Sequence, residues 1–224
     1  MCGRYTLGVT PARLAEVFAL AEMPELAPRY NIAPTQTAPV ILDAPGGRRL
    51  ELRRWGLVPF WAKDPKIGSR MINARGESLA EKPAFRAAFR RQRCLVPADG
   101  FYEWKPSGRR KQPYHVRRAD ARPFAMAGLF DTWHAGKGDA IASFTIVTTD
   151  ANALLRPIHD RMPVILDSAG WKEWLDPTTP LAGVAALLAP HDPADFEAYP
   201  VATLVNSPAV DDARCRTPLR EAPV

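Results

Sequence analysis

The chain has 224 residues, 46% of them hydrophobic, six tryptophans and a formal net charge of +6. That length and apolar content suit one packed domain over residues 1–224, and no apolar run approaches the roughly 20 residues of a membrane span. No secretory leader is expected at the start, three dispersed cysteines exclude a disulfide framework and point to a reducing, cytoplasmic setting, and the excess of positive charge favours a polyanion, most simply nucleic acid.

The chain opens Met1-Cys2-Gly3-Arg4. The small Cys2 side chain permits trimming of Met1, which would leave a terminal cysteine. Such a residue carries an α-amine and a thiol two carbons apart, with ordinary pKa values of about 7.7–8.0 and about 8.5. The amine can condense with an aldehyde to an imine, and the thiol can add to the imine carbon and close a thiazolidine. Read alone, Cys2 is equally an accidental cysteine on a frayed terminus.

Thr10-Pro11 predicts an N-cap and first helical position, with Leu14, Val17 and Phe18 at helical spacing over 11–20. Pro24, Pro28 and Pro34 predict an extended, irregular path through Arg29-Tyr30-Asn31-Ile32-Ala33. Short apolar runs at 39–42, 50–57, 94–97, 101–104, 114–117, 124–130, 144–148 and 163–166 read as strands, punctuated by turn signals at Gly46-Gly47 and Pro106-Ser107-Gly108. Helical patterns lie at 79–91, 168–175 and 181–188, and the last ten residues read as a loose tail. Strands and helices do not alternate regularly, so the expected class is α+β: a single domain with a mostly antiparallel, barrel-like sheet flanked by short helices.

Polar residues stand out in four places. Glu103 alternates with Phe101, Tyr102 and Trp104; it is either a solvent-facing strand residue or a carboxyl whose pKa aromatic surroundings raise into the range of a general acid–base. His159, between Pro157 and Pro163, is either bonded to loop backbone or a proton donor near neutrality. Asn73 is a turn residue or an amide that orients a terminal amine. Arg4, Arg75 and Arg161 lie in these same segments and suit phosphate. Trp55 reads as buried, whereas one ring of Phe60-Trp61 is expected to be exposed for base stacking, because strand neighbours face opposite ways. The run Arg86, Arg90, Arg91, Arg93 reads as a solvated helix face. The four histidines show no metal-ligand spacing with each other or with cysteine, and no glycine-rich phosphate loop occurs, so no metal or cofactor is expected.

Taken together, the stretches from Cys2-Gly3-Arg4 through Tyr30-Asn31-Ile32-Ala33-Pro34, Trp55-Gly56-Leu57-Val58-Pro59 with Trp61, Ile72-Asn73-Ala74-Arg75-Gly76-Glu77 and Cys94 to Trp104 resemble the SOS response-associated peptidase (SRAP) family. The likeness continues through Gly128-Leu129-Phe130, 144–149 and Ile158-His159-Asp160-Arg161-Met162-Pro163. It implies a sensor of abasic sites in single-stranded DNA, with Cys2 as the nucleophile that forms a thiazolidine crosslink; a monomer is expected separately, because nothing in the chain demands symmetry. Asn73 would position the amine, Glu103 would move protons, and His159 would assist sugar ring opening. The implied DNA-facing positions are Arg4, Pro34, Phe60, Trp61, Arg75, Thr148 and Arg161, with Phe60 standing where some relatives have tryptophan. The resemblance further implies lyase-like Schiff-base chemistry, self-removal of Met1, association with the nucleoid when DNA-bound, and the compact bacterial form without a C-terminal clamp-binding motif. Two other classes stay open: a thiol peptidase acting on proteins through Cys2, Glu103 and His159, and a non-covalent module for single-stranded or modified DNA.

Overall fold

A computed structural model describes residues 2–219 except 24 and 137. In chain order the strands are β1 (Tyr5–Leu7), β2 (Arg29–Ile32), β3 (Thr37–Ala44), β4 (Gly47–Trp55), β5 (Asn73–Arg75), β6 (Arg93–Ala98), β7 (Gly100–Ser107), β8 (Arg110–Arg118), β9 (Phe124–Ala135), β10 (Asp139–Asp150), β11 (Arg161–Pro163), β12 (Ile165–Leu166) and β13 (Phe196–Pro200). The α-helices are α1 (Pro11–Phe18), α2 (Arg86–Arg91), α3 (Gly170–Leu175) and α4 (Leu181–Ala186). The expected α+β, mostly antiparallel architecture is therefore what the chain adopts.

Five strands close into a barrel. β10 pairs β4 in parallel, β4 pairs β3, β3 pairs β6, β6 pairs β9, and β9 returns to β10 as a long hairpin. Closure leaves these five strands without a free edge. The tight β3–β4 turn follows from Pro45-Gly46: proline presets the first turn position, and Gly46 takes the positive φ of 94° that the second requires. A second sheet, in the order β13-β8-β7-β1-β2, packs alongside. The chain passes from barrel to sheet at Asp99, whose carboxylate accepts from the Thr6 hydroxyl and from the Gly8 N–H at 2.9 Å. That corner ties β1 to the β6–β7 junction.

The core fills from both sheets. Trp55 is fully buried as expected, edge-on to Tyr5 with ring centroids 5.3 Å apart and stacked on Phe144. α1 buries Leu14 and Phe18, and Phe18 stacks on Trp171 of α3 at 4.7 Å. The Thr10 hydroxyl accepts from the Arg13 N–H and caps the helix start.

Four local expectations differ from the structure. Residues 29–32 form a paired strand, because a four-residue strand fits between Pro28 and Pro34 without asking either for a ladder N–H. The predicted helix at 79–91 is only six residues long, from Arg86, because Pro83 holds the preceding chain in turns. Arg93 lies on β6 and is buried, donating to the carbonyls of Phe89, Arg90, Trp174 and Asp176, whereas Arg86, Arg90 and Arg91 are exposed. The expected tail is partly built in: Cys215 is fully buried and Val201 bridges Pro218, while 220–224 lie outside the described residues.

Candidate functional site

The N-terminal segment runs beside β7. Tyr5 pairs with Phe101, and the Tyr102 N–H donates to the Arg4 carbonyl at 3.0 Å. Continuing that register backwards sets Gly3 opposite Glu103. Cys2 follows at the same end and is fully buried, its thiol donating weakly to the Arg4 carbonyl at 3.8 Å. Burial pushes the Cys2 thiol well above the ordinary thiol range, and the charge of Glu103 pushes it further. The resting sulfur is therefore a thiol rather than a thiolate.

Glu103 is also buried, and burial raises its pKa to about 7, with Asp160 adding to the rise. It is a group poised to give and take protons near neutrality. Its burial rules out the solvent-facing alternative that the sequence left open.

Asn73 reaches the same place from the other sheet. It starts β5, which pairs in parallel with β10 at Ile146. Its Nδ2 donates to the Cys2 carbonyl at 2.8 Å. Its Oδ1 is buried and has no partner among the described residues. A buried acceptor without a donor carries a cost of about 1–3 kcal/mol; an α-amine at the start of a trimmed chain would be such a donor.

His159 sits in the connection between β10 and β11, its N–H bonded to the Leu155 carbonyl at 2.9 Å. Its Nδ1 accepts from the Arg161 N–H at 3.0 Å and lies 2.8 Å from the Asp160 carboxylate. Burial lowers its pKa, so the ring is neutral at pH 7. A neutral ring that accepts at Nδ1 carries its proton on Nε2. Once protonated, the ring can turn Nδ1–H to Asp160 instead. The structure thus supplies a partner for each charge state.

The expected DNA-facing residues divide. Phe60 and Trp61 are both exposed, at 60% and 47%, rather than one in and one out. They occupy a turn, closed by the Ala62 N–H to the Pro59 carbonyl, so strand alternation does not govern them. A cavity of about 590 Å³ opens beside Trp61, edged by Lys63, Lys66 and Arg70. Arg75 is exposed, and Pro34 is half-buried at a turn whose next residue, Thr35, has a φ of 71°.

Thr148 does not face outward. It is fully buried with its hydroxyl directed to the Ala74 carbonyl at 3.4 Å, because β5 and β11 flank β10 at that point. It supports the strand that carries Arg75. Arg4 directs its guanidinium to Asn31 Oδ1 at 2.9 Å and to the carbonyls of Val205 and Asn206. Arg161 forms a bidentate pair with Glu77, at 2.7 and 2.9 Å, and also reaches Asp150 at 2.7 Å and the Thr148 carbonyl at 2.8 Å. Glu77 and Asp150 carried no local sequence signal for this role: the Glu77 partner lies 84 residues away, and only the fold brings the two together.

Residues 1–208 match the SOS response associated peptidase (SRAP) family. The chain belongs to that family. Its SRAP relatives include the abasic site processing protein YoqW of Bacillus subtilis, 46% identical over 213 residues that cover 93% of this chain and 95% of that one. The abasic site processing protein HMCES of Xenopus tropicalis is 34% identical, over 84% of this chain and 65% of that protein. Among solved structures, that of a protein from Bacteroides thetaiotaomicron superposes with a TM-score of 0.88 at 29% identity, covering 97% of this chain and all of that one. Among the described residues no helix is long and apolar enough to cross a membrane, and no group of three or more His, Cys, Asp or Glu side chains is placed to hold a metal ion.

Proposed function

We propose that this SRAP protein, once Met1 is removed, captures abasic sites in single-stranded DNA as a thiazolidine crosslink on Cys2. The observation that carries the reading is the bond from Asn73 to the Cys2 carbonyl, made at the end of β7 that holds Glu103. An amide held there fixes the terminal residue against its acid–base partner. The names of its relatives, abasic site processing proteins, support the substrate class.

The steps follow from the side chains. The protonated form of His159, its Nδ1–H held by Asp160, donates its Nε2 proton to the ring oxygen while the C1′ hydroxyl releases its proton to solvent; the sugar opens to its aldehyde and the imidazole returns to neutral. The Cys2 amine, oriented by Asn73, attacks C1′ to give a carbinolamine. Protonated Glu103 gives its proton to the departing hydroxyl, water leaves, and the iminium nitrogen returns its proton to the Glu103 carboxylate, so an imine remains. The thiol then adds across the C=N bond: sulfur joins C1′, its proton ends on nitrogen, and the ring closes. A thiol held protonated by burial favours this order, amine first and sulfur second. The closed ring lacks the iminium that β-elimination needs, so the strand stays intact. Phe60 and Trp61 offer rings to neighbouring bases, and Arg75 with the cations beside Trp61 offers charge to phosphates. Self-removal of Met1 would use the same thiol, as in terminal-nucleophile hydrolases. We infer a monomer that associates with the nucleoid through this DNA surface.

The test is a denaturing gel. Purified protein, with Met1 removal confirmed by mass, is incubated with a single-stranded oligonucleotide bearing one abasic site. The expected result is a shifted band that Cys2→Ala abolishes. No shift with the native protein overturns the reading. Cleavage of unrelated peptides without DNA would instead favour the protein-peptidase class, and binding that survives Cys2→Ala with no covalent product would favour the non-covalent module.

A further inference from the structure

The β7–β8 hairpin has a feature that neither the fold nor the crosslinking chemistry uses. Between Lys105 and Lys111 the chain reads Lys-Pro-Ser-Gly-Arg-Arg-Lys, four cations in seven residues. The turn itself needs only Gly108, whose φ is 59°. Arg109, Arg110 and Lys111 are exposed and Lys105 is half-buried.

Among the described residues none of the four has a carboxylate partner, whereas the far end of the same hairpin strand is neutralised. There Arg117 pairs with Glu197 at 2.7 Å, and Arg118 with Asp120 at 2.9 Å. Clustered like charges repel one another and destabilise the hairpin that bears them. A charge cluster kept without partners at one end of a strand, and paired at the other, points to an anionic ligand at the first end.

The hairpin's location names that ligand. β7 also carries Glu103, and Lys105 follows on the same face, about 7 Å further along at a rise of roughly 3.3 Å per residue. The opposite strand pairs Arg110 with Ser107, on the face of Glu103 and Lys105, and Lys111 with Pro106, on the other face, so the tip carries positive charge on both sides. The charge of Lys111 also reaches His159, where it helps to lower the imidazole pKa. The hairpin therefore projects from the site wall, within reach of a backbone whose sugar sits at Cys2.

We propose that the β7–β8 hairpin is a phosphate-binding arm, in which Lys105, Arg109, Arg110 and Lys111 hold the DNA strand on one side of the lesion. This rests on the reading of the site as a DNA-lesion site. The hairpin is a contact separate from Phe60-Trp61, which stand on the β4–β5 connection. It adds sequence-independent affinity and orients the strand, without touching the reacting atoms.

The experiment compares the native chain with a variant carrying Lys105→Gln, Arg109→Gln, Arg110→Gln and Lys111→Gln. Binding to an undamaged single-stranded oligonucleotide is measured from low to moderate salt. Each phosphate contact on a single strand contributes about 0.7 to the slope of log affinity against log salt. The expected result is a slope shallower by about 2 to 3, with a melting temperature no lower than the native one and an unchanged crosslink yield at saturating abasic DNA. Oligonucleotides truncated on one side of the abasic site should lose affinity for the native chain but not for the variant; truncation on the other side should weaken both. An unchanged slope, or equal sensitivity of both proteins to truncation on each side, overturns the arm. Absence of a crosslink with the native chain overturns the thiazolidine reading while leaving the salt slope to decide the arm.

Discussion

The side-chain amide of Asn73 donates to the carbonyl of Cys2 at 2.8 Å, while the oxygen of the same amide is buried without a partner among the described residues. One half of the amide holds Cys2, and the other half can accept from an α-amine once Met1 is removed. Asn73→Ala should therefore slow crosslinking about tenfold, corresponding to about 1.4 kcal/mol of lost orientation, within the range for one buried hydrogen bond. Asn73→Asp keeps the acceptor and loses the donor, and should retain more activity than alanine. Single-turnover rates at saturating abasic DNA measure both.

Glu103 predicts a pH dependence. Its folded pKa of about 7 lies above the ordinary carboxyl value of 4.5, so the folded chain binds the extra proton between those two pH values. Stability from this group is full below pH 4.5 and is lost as pH rises through 7, on the order of 3 kcal/mol. Glu103→Gln should flatten the melting-temperature profile from pH 4.5 to 7 and be at least as stable as the native chain at pH 8. The crosslinking rate should fall above pH 7 in the native chain. Glu103→Gln should lack that limb and be slower by about 10²–10⁴. An unaltered limb in the glutamine variant would remove Glu103 from the proton transfers.

Gly100 is a spacing residue. A Cβ there would lie 2.2 Å from His115 Nε2 and 3.0 Å from the Thr6 hydroxyl, and His115 is itself buried against Tyr199 at 2.9 Å. Gly100→Ala should cost about 1–3 kcal/mol by overpacking. That corresponds to a fall in melting temperature of about 2–12 °C for a chain of this size. Crosslinking should also slow, since the displaced strand is the one that carries Glu103.

The buried His115 gives a second titration, of opposite sign. Burial lowers its pKa to about 3, so the folded chain binds fewer protons than the unfolded chain between pH 3 and 6.5. Stability is present above pH 6.5 and lost as pH falls through 3, by up to about 5 kcal/mol. Acid unfolding followed by circular dichroism should show this loss, and His115→Gln, which has no proton to gain, should remove it.

Arg161 and Glu77 join the segment carrying His159 to the segment carrying Asn73. Both Glu77 and Asp150 are largely solvated, so the pairs themselves contribute about 1 kcal/mol or less. Glu77→Gln should leave the melting temperature nearly unchanged and lower the crosslinking rate severalfold, with DNA affinity the same. Tighter DNA binding by Glu77→Gln would mean instead that Arg161 is a phosphate contact held back by its carboxylates.

The exposed pair Phe60 and Trp61, proposed above to stack on bases, separates from the core in the same way. Phe60→Ala and Trp61→Ala remove exposed rings and should not change the melting temperature. Each should weaken binding to single-stranded DNA by about 1–3 kcal/mol per stacked base, read by fluorescence anisotropy.

Much of the fold was legible in the chain. The apolar runs from 39 to 166 match strands, because side chains that close a barrel must be apolar on the inward face wherever they pair. The three-residue strands β1 and β5 were not legible, since three residues are too few to show alternation and both are held by partners far away in sequence. The exposure of both Phe60 and Trp61 was missed for the opposite reason: a turn, not a strand, sets their directions.

The residue types of the site were legible too. Cys2 brings an amine and a thiol to one carbon skeleton by covalent structure alone, and no fold can add or remove that pair once Met1 is gone. The sequence by itself also determined that a carboxyl, an imidazole, an amide and several guanidinium groups were available. Only the tertiary structure decided how they divide. It buried Glu103 and so moved its pKa to about 7, it gave Arg161 to Glu77 and Asp150, it turned Thr148 inward, and it set Asn73 against Cys2. The reason is physical: protonation and pairing depend on what water can reach and on charges distant in the chain, and both are settled only when the barrel closes and the second sheet packs beside it.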